Sequence, residues 1–358
     1  MPLFTLVLAC TGQNPAVNPP EDTQSVQDSA PQGLDLRAWF SDYDAGEGLD
    51  YLEDPGTHLP DGDPRITGVP HAFHQDVPYG PHARTELDLW VPADPGALLI
   101  YFHGGGFVGG DRSDLDLGAV EGLLGADVAV ATVNYRFGYH HLSDMEAPDP
   151  QGEGTDPSLD GARLDTILRD CARSVQYLRY REDLGVDALP TMVMGSSAGG
   201  GCATWIGATD DLADADRSDP VLRESTRVQA VVHATSQVTL DFSRWAPLLE
   251  VEEAEVRALL GDYPAALTQS DADAVWEAQP IGEVLDYAGA WDAGDPVLWV
   301  ENGSTVEAYS DDPLHHPSHA LALYEACVAA GGDCTLRTAI EQEGREGSYW
   351  GMLLDVME

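Results

Sequence analysis

The 358-residue chain contains no lysine: all 17 basic residues are arginine, set against 62 aspartates and glutamates, for a formal net charge of −45. A surface of that sign repels phosphate backbones and anionic headgroups. It excludes nucleic acid as a partner, and any membrane held by charge. Such a balance describes a solvated acidic surface of the kind salt-adapted proteins carry. Without lysine, Gly104-Gly105-Gly106 lacks the G-K-[S/T] ending of a phosphate loop. Cysteine is scarce, with five in all. Cys10 stands apart, Cys327 and Cys334 bracket a short helix-to-strand turn and can form a disulfide, and Cys171 and Cys202 on consecutive predicted helices are a second candidate pair. An even number beyond Cys10 fits an oxidising compartment. No segment approaches the roughly 18 apolar residues of a membrane-spanning helix. His140 and His141 lie among acidic residues, but no metal-ligand spacing recurs, so a solvated loop is expected there, with no metal and no cofactor.

What the chain does have is enough apolar residue, 43%, for a sizeable core. Leu3 to Cys10 is a short apolar run ending in Val7-Leu8-Ala9-Cys10. It resembles the end of a bacterial lipoprotein signal, with Cys10 as the lipidated residue, although no basic residue precedes it. Residues 11–33 are rich in Pro, Gln, Ser, Asp and Asn and read as a disordered tether. Together they imply an exported protein, lipid-anchored in the bacterial envelope or periplasm, or secreted. Residues 34–70 scatter Trp39, Phe40, Tyr43 and Tyr51 among acidic residues and read as a partly helical covering segment.

From residue 71 onward strands and helices alternate. Residues 85–91 alternate Leu87, Leu89 and Val91 with polar partners, which predicts a strand with one buried face. The apolar runs 97–102 and 127–133 predict central parallel strands. Residues 160–181 place Leu164, Ile167, Leu168, Cys171, Val175 and Leu178 on one helical stripe. Strands are expected at 189–194, 228–233, 296–300 and 335–340. Helices are expected at 200–208, 250–260, 317–330 and 349–357. This alternation implies a mostly parallel sheet with helices on both faces.

Two motifs sit at strand ends. Gly195-Ser196-Ser197-Ala198-Gly199 follows the run 189–194 and precedes a helix, the strand–G-x-S-x-G–helix context of a nucleophile elbow. His103-Gly104-Gly105-Gly106-Phe107 follows the run 97–102. With Leu87-Asp88-Leu89-Trp90-Val91-Pro92 and Asn134-Tyr135-Arg136, these motifs make the chain resemble the α/β-hydrolase superfamily, in its H-G-G-G carboxylesterase and hormone-sensitive-lipase-like branch, over residues 76–350. The resemblance implies an α/β-hydrolase domain over 34–358 with a helical lid inserted at about 240–291. It implies a small-molecule ester as substrate and leaves the oligomeric state open.

Ester hydrolysis needs a nucleophile, a base, an orienting acid and donors for the oxyanion. Ser197 holds the nucleophile position. By resemblance the oxyanion donors are the N–H groups of Ala198, Gly105 and Gly106, while His103 organises the loop. The stretch Ser310-Asp311-Asp312-Pro313-Leu314 resembles the family's acid-bearing loop. Asp312 aligns best, with Asp311 the alternative. The base should be a histidine after the last strand, but the last histidine in the chain is His319. Where the family reads G-x-G-H-x-Y/F-W, this chain reads Gly344-Arg345-Glu346-Gly347-Ser348-Tyr349-Trp350, with Gly347, or else Glu346, at the base's place. Three explanations stand open: a crippled esterase, a base migrated to His315, His316 or His319, or a fault at one position of the sequence. A Ser-Lys dyad is excluded for lack of lysine. Trp245, Trp276 and Trp291 are read as core residues, with pocket lining as the alternative. The expectation is a serine carboxylesterase acting on small acyl esters. The alternatives are an acyl-sugar or feruloyl esterase, a formamidase, or a non-catalytic binding protein on the same fold.

Overall fold

Ten strands form one sheet, in the order β1-β2-β3-β5-β4-β6-β7-β8-β9-β10. They are β1 Thr57–Leu59, β2 His71–Pro78, β3 Glu86–Pro92, β4 Ala97–Phe102, β5 Val128–Val133, β6 Thr191–Ser196, β7 Ala230–Ala234, β8 Val297–Asn302, β9 Cys334–Thr338 and β10 Gln342–Glu343. The six strands β5-β4-β6-β7-β8-β9 pair in parallel, and antiparallel strands close both edges. The structure, a computed structural model, describes residues 49–54, 56–138, 162, 164–256, 280–339 and 342–344. The expected anchor and tether, His140, His141, Trp276, Glu346, Gly347 and the expected helix 349–357 lie outside the described residues.

Every side chain of β4 is buried, as a central parallel strand requires. Its pleat divides them between two cores: Leu98, Ile100 and Phe102 face one, Leu99 and Tyr101 the other. Val193 and Met192 on β6 divide the same way, as do Leu298 and Trp299 on β8. The second core is covered by α1, Leu117–Leu124, through Val120, Leu123 and Leu124. The first is covered by α2 Leu164–Tyr180, α3 Ala198–Ala208 and α4 Pro317–Ala329. All six residues of the expected α2 stripe are buried there.

Helix α1 begins at Asp116, whose carboxylate accepts from the Ala119 N–H. Helix α4 begins at His316 with Pro317 in its first turn, where a missing N–H costs nothing. The short edge strands β1 and β10 were not expected from the sequence. They are three and two residues long and largely exposed, so no apolar alternation marks them. The stretch 240–291 begins and ends as core. Trp245, Leu249, Tyr287 and Trp291 are buried in the first cluster, so both tryptophans have the packing role, while 257–279 lie outside the described residues. Cys327 and Cys334, which the sequence left as a possible pair, form a disulfide across the α4–β9 turn. The sulfurs of Cys171 on α2 and Cys202 on α3 are not bonded to each other in this structure.

Candidate active site

Ser197 occupies the corner between β6 and α3 with φ 52° and ψ −122°, a backbone state that a residue with a Cβ seldom adopts. Such a conformation costs about 1–3 kcal/mol and persists only where the surroundings enforce it. Here the Ser197 N–H donates to Ala234 O at 3.0 Å, and Ser197 O accepts from Gly201 N at 3.1 Å and from Ser236 Oγ at 2.5 Å. The flanking glycines are steric requirements. A Cβ on Gly195 would overlap the Gly199 carbonyl, and one on Gly199 would overlap the Phe102 carbonyl at the end of β4.

Ser197 Oγ lies 2.9 Å from His315 Nε2. On the far side of the ring, His315 Nδ1 lies 3.2 Å from both carboxylate oxygens of Asp312. An ionised carboxylate can only accept, so Nδ1 carries the proton and Nε2 is left with its lone pair toward the serine. Asp312 and His315 share a single turn, in which His315 N also donates to Asp312 O and Oδ1 at 3.3 and 3.2 Å. This turn follows β8 and leads into α4.

Three side chains hold its three successive carbonyls: His319 Nε2 donates to Pro313 O at 2.7 Å, Gln237 Nε2 to Leu314 O at 2.9 Å and Asn302 Nδ2 to His315 O at 3.0 Å. His319 is wholly buried, and burial pushes its pKa down to about 4. It is therefore neutral, and its Nδ1 is free to accept from Val238 N at 3.1 Å. His316 is spent differently: its Nδ1 accepts from Ser318 N and caps α4.

The loop after β4 carries His103 to Gly110. Gly105, Gly106, Phe107 and Gly110 all have positive φ, at 113°, 63°, 64° and 93°. At Gly105 a Cβ would overlap Gly109 O, and at Gly104 it would stand 3.4 Å from the Ser197 Cβ, so this loop passes directly over the serine. Among the described residues no acceptor is bonded to the N–H of Gly105, Gly106 or Ala198. Ala198 opens α3, where N–H groups have no partner within the helix.

Arg84 holds both ends of the loop. Its Nη2 reaches Gly110 O at 2.9 Å, Asn134 Oδ1 at 3.2 Å and His103 Nε2 at 3.3 Å, its Nε donates to Tyr135 O at 3.1 Å, and the guanidinium stacks 3.7 Å over Phe137. His103 is buried, stacked 4.3 Å from Tyr135, and burial lowers its pKa to about 4. Asp111, at the loop's exit, would be raised by burial, but hydrogen bonds from Asn134 and Ser113 and the charge of Arg112 bring it down to about 2.

No protein-family model and no curated protein matches the chain in sequence. Solved structures do match it in shape. A truncated carbohydrate esterase from gut microbiota superposes with a TM-score of 0.50 at 18% identity, covering 74% of this chain and 86% of that one. A thermophilic esterase from the Planctomycetes species Thermogutta terrifontis gives 0.51 at 18%, covering 81% and 91%. A bifunctional GH43-CE protein from Bacteroides eggerthii gives 0.51 at 17%, covering 79% of this chain and 35% of its own. The fold is that of the α/β-hydrolases.

Within this hydrolase fold, Ser197 and Asp312 are brought to one site, and Ala198 adjoins the serine. Asp311 ends a short 3-10 turn, exposed, and has no bond to His315. Sequence reasoning looked for the imidazole after β9. The structure instead presents one from the loop after β8, and of the three histidines considered there only His315 reaches the serine. Gln237, Asn302, Ser236 and Arg84 had no sequence signal, because each acts through contacts between segments far apart in the chain.

Proposed function

We propose that this chain is a serine hydrolase of carboxylic esters, with Ser197 as nucleophile, His315 as base and Asp312 as orienting acid. The observation that carries the reading is the line Ser197 Oγ–His315 Nε2, His315 Nδ1–Asp312, with distances of 2.9 and 3.2 Å. In the first step the serine oxygen bonds to the acyl carbon as His315 Nε2 takes its proton. Asp312 stabilises the resulting imidazolium and keeps the ring oriented. The carbonyl π electrons move onto oxygen, which the N–H groups of Ala198, Gly105 and Gly106 receive. Collapse of the tetrahedral adduct breaks the bond to the alcohol, which leaves with the proton held on His315. Water then repeats the sequence on the acyl-serine and releases the acid.

A non-catalytic reading rested on the lack of an imidazole, and His315 weighs against it. The similarity in shape to a carbohydrate esterase favours sugar-borne acyl esters among the small esters considered. Export and a lipid anchor at Cys10 remain part of the proposal, supported by residues 3–10 alone. The test is labelling by a fluorophosphonate together with hydrolysis of a short-chain p-nitrophenyl ester. Ser197→Ala should abolish both, and an unchanged rate in that variant would remove the proposal.

A further inference from the structure

Cys171 and Cys202 are wholly buried, 31 residues apart, on the two helices that cover the same core. Their sulfurs point at each other and stand 2.9 Å apart. Two thiols need no such approach to fill a core, and closing to the roughly 2.05 Å of a covalent bond requires a movement of roughly 0.9 Å. Cys202 lies one and a half turns into the helix that begins at Ser197, so a bond here would tie the nucleophile's helix to α2.

We propose that Cys171 and Cys202 are a second disulfide, a covalent modification site distinct from Cys327–Cys334. The co-reactant is a disulfide oxidant, either a small-molecule one or that of an oxidoreductase. The Cys171 thiolate attacks one sulfur of the oxidant and expels the other as a thiol. The Cys202 thiolate then attacks the mixed disulfide at the Cys171 sulfur and expels the second thiol. The two cysteines lose two protons and two electrons, and the oxidant gains them. Burial holds the Cys171 thiol well above its ordinary pKa, so the thiolate is disfavoured once the helices have docked. The exchange therefore belongs to folding, before α2 closes over α3. The inference stands apart from the ester-hydrolase reading, since neither sulfur takes part in the site.

The full chain should be folded in a glutathione redox buffer, denatured without reductant in the presence of N-ethylmaleimide, digested and mapped by mass spectrometry. The expected result is a linked peptide pair containing Cys171 and Cys202, with neither residue alkylated. Recovery of both as alkylated residues, from protein whose Cys327–Cys334 bond is intact, overturns the proposal. A second measurement compares thermal unfolding with and without reductant. The wild type should lose about 5–10 °C more on reduction than Cys171→Ala/Cys202→Ala, from the closure entropy of a 31-residue loop. Equal losses in the two proteins overturn it as well.

Discussion

Replacing His315 by alanine separates the chemistry from the fold. The side chain is 31% exposed, and its ring bonds are to Ser197 Oγ and to Asp312, itself 38% exposed. Its removal opens a surface notch, and the stability change should stay within about 1 kcal/mol. The effect on turnover should be of another order. Without the imidazole the serine proton has only water to go to, while the oxyanion donors and the bound substrate remain. Losing the base of such a relay costs about 10⁴- to 10⁶-fold in kcat, or roughly 5–8 kcal/mol of barrier. The assay is hydrolysis of a p-nitrophenyl ester beside a thermal melt, with Ser197→Ala as the floor. His315→Ala should fall close to that floor with its melting temperature nearly unchanged. His316→Ala should not do so, since its Nδ1 is engaged at the start of α4. If His315→Ala keeps more than a tenth of wild-type activity while Ser197→Ala is dead, the base is another group and the reasoning fails. Gly347→His placed in the His315→Ala background then tests whether the position used by the resembling family can be restored.

Arg84→Met should lower kcat about tenfold or more at nearly constant KM, because the bonds to Gly110 O, Asn134 and His103 that set the oxyanion loop are lost; steady-state kinetics within twofold of wild type would refute this. Burial holds His103 and His319 at about 4 and His233 at about 3, so each contributes stability above the ordinary 6.5 that is lost as pH falls toward 4. Asp241 and Asp295, raised by burial to about 6, offset part of this in the opposite sense. The histidines outweigh these, so stability should fall from pH 7 to pH 5, and equal guanidinium midpoints at the two pH values would contradict it. A charge of −45 should make the fold salt-dependent, with the melting temperature rising as sodium chloride is raised from about 0.01 to 1 M and the screening length falls from roughly 30 to 3 Å; a flat profile would show that the charges are already neutralised locally.

The central sheet was legible because its strands are buried on both faces. Ala97–Phe102 and Val128–Val133 are apolar runs with sharp ends, and the stripe on α2 has no competing period. The elbow was legible for a steric reason: Gly195 and Gly199 must lack a Cβ, so the chain writes them as glycine. Asp312 was legible only through its place after β8, and the structure puts its carboxylate, not that of Asp311, against an imidazole. His315 was harder to read. A histidine three residues after an aspartate is an ordinary turn in sequence. What aims it at Ser197 is the set of bonds from His319, Gln237 and Asn302 to the turn's carbonyls, and each donor or its partner lies on another element. The resemblance directed attention to the end of the chain, where an imidazole was expected from a different loop. The strands β1 and β10 were missed because short exposed edges bury too little to leave a pattern.

Carrying the proposed acid and base on one four-residue turn changes what the site asks of the rest of the chain. When the two groups come from separate loops, their mutual aim depends on how two strands sit in the sheet, and any drift between those strands detunes the relay. Here Asp312 and His315 share one turn, and tertiary structure has to set the gap to Ser197 and the supports of that turn from Gln237, Asn302 and His319. The proposed proton transfer then needs no imidazole from the loop after β9. Moving the turn 312–315 to another protein of this fold would therefore carry the Asp312–His315 pair with it, but an aimed imidazole would also need counterparts of Gln237, Asn302 and His319 to hold the turn's carbonyls.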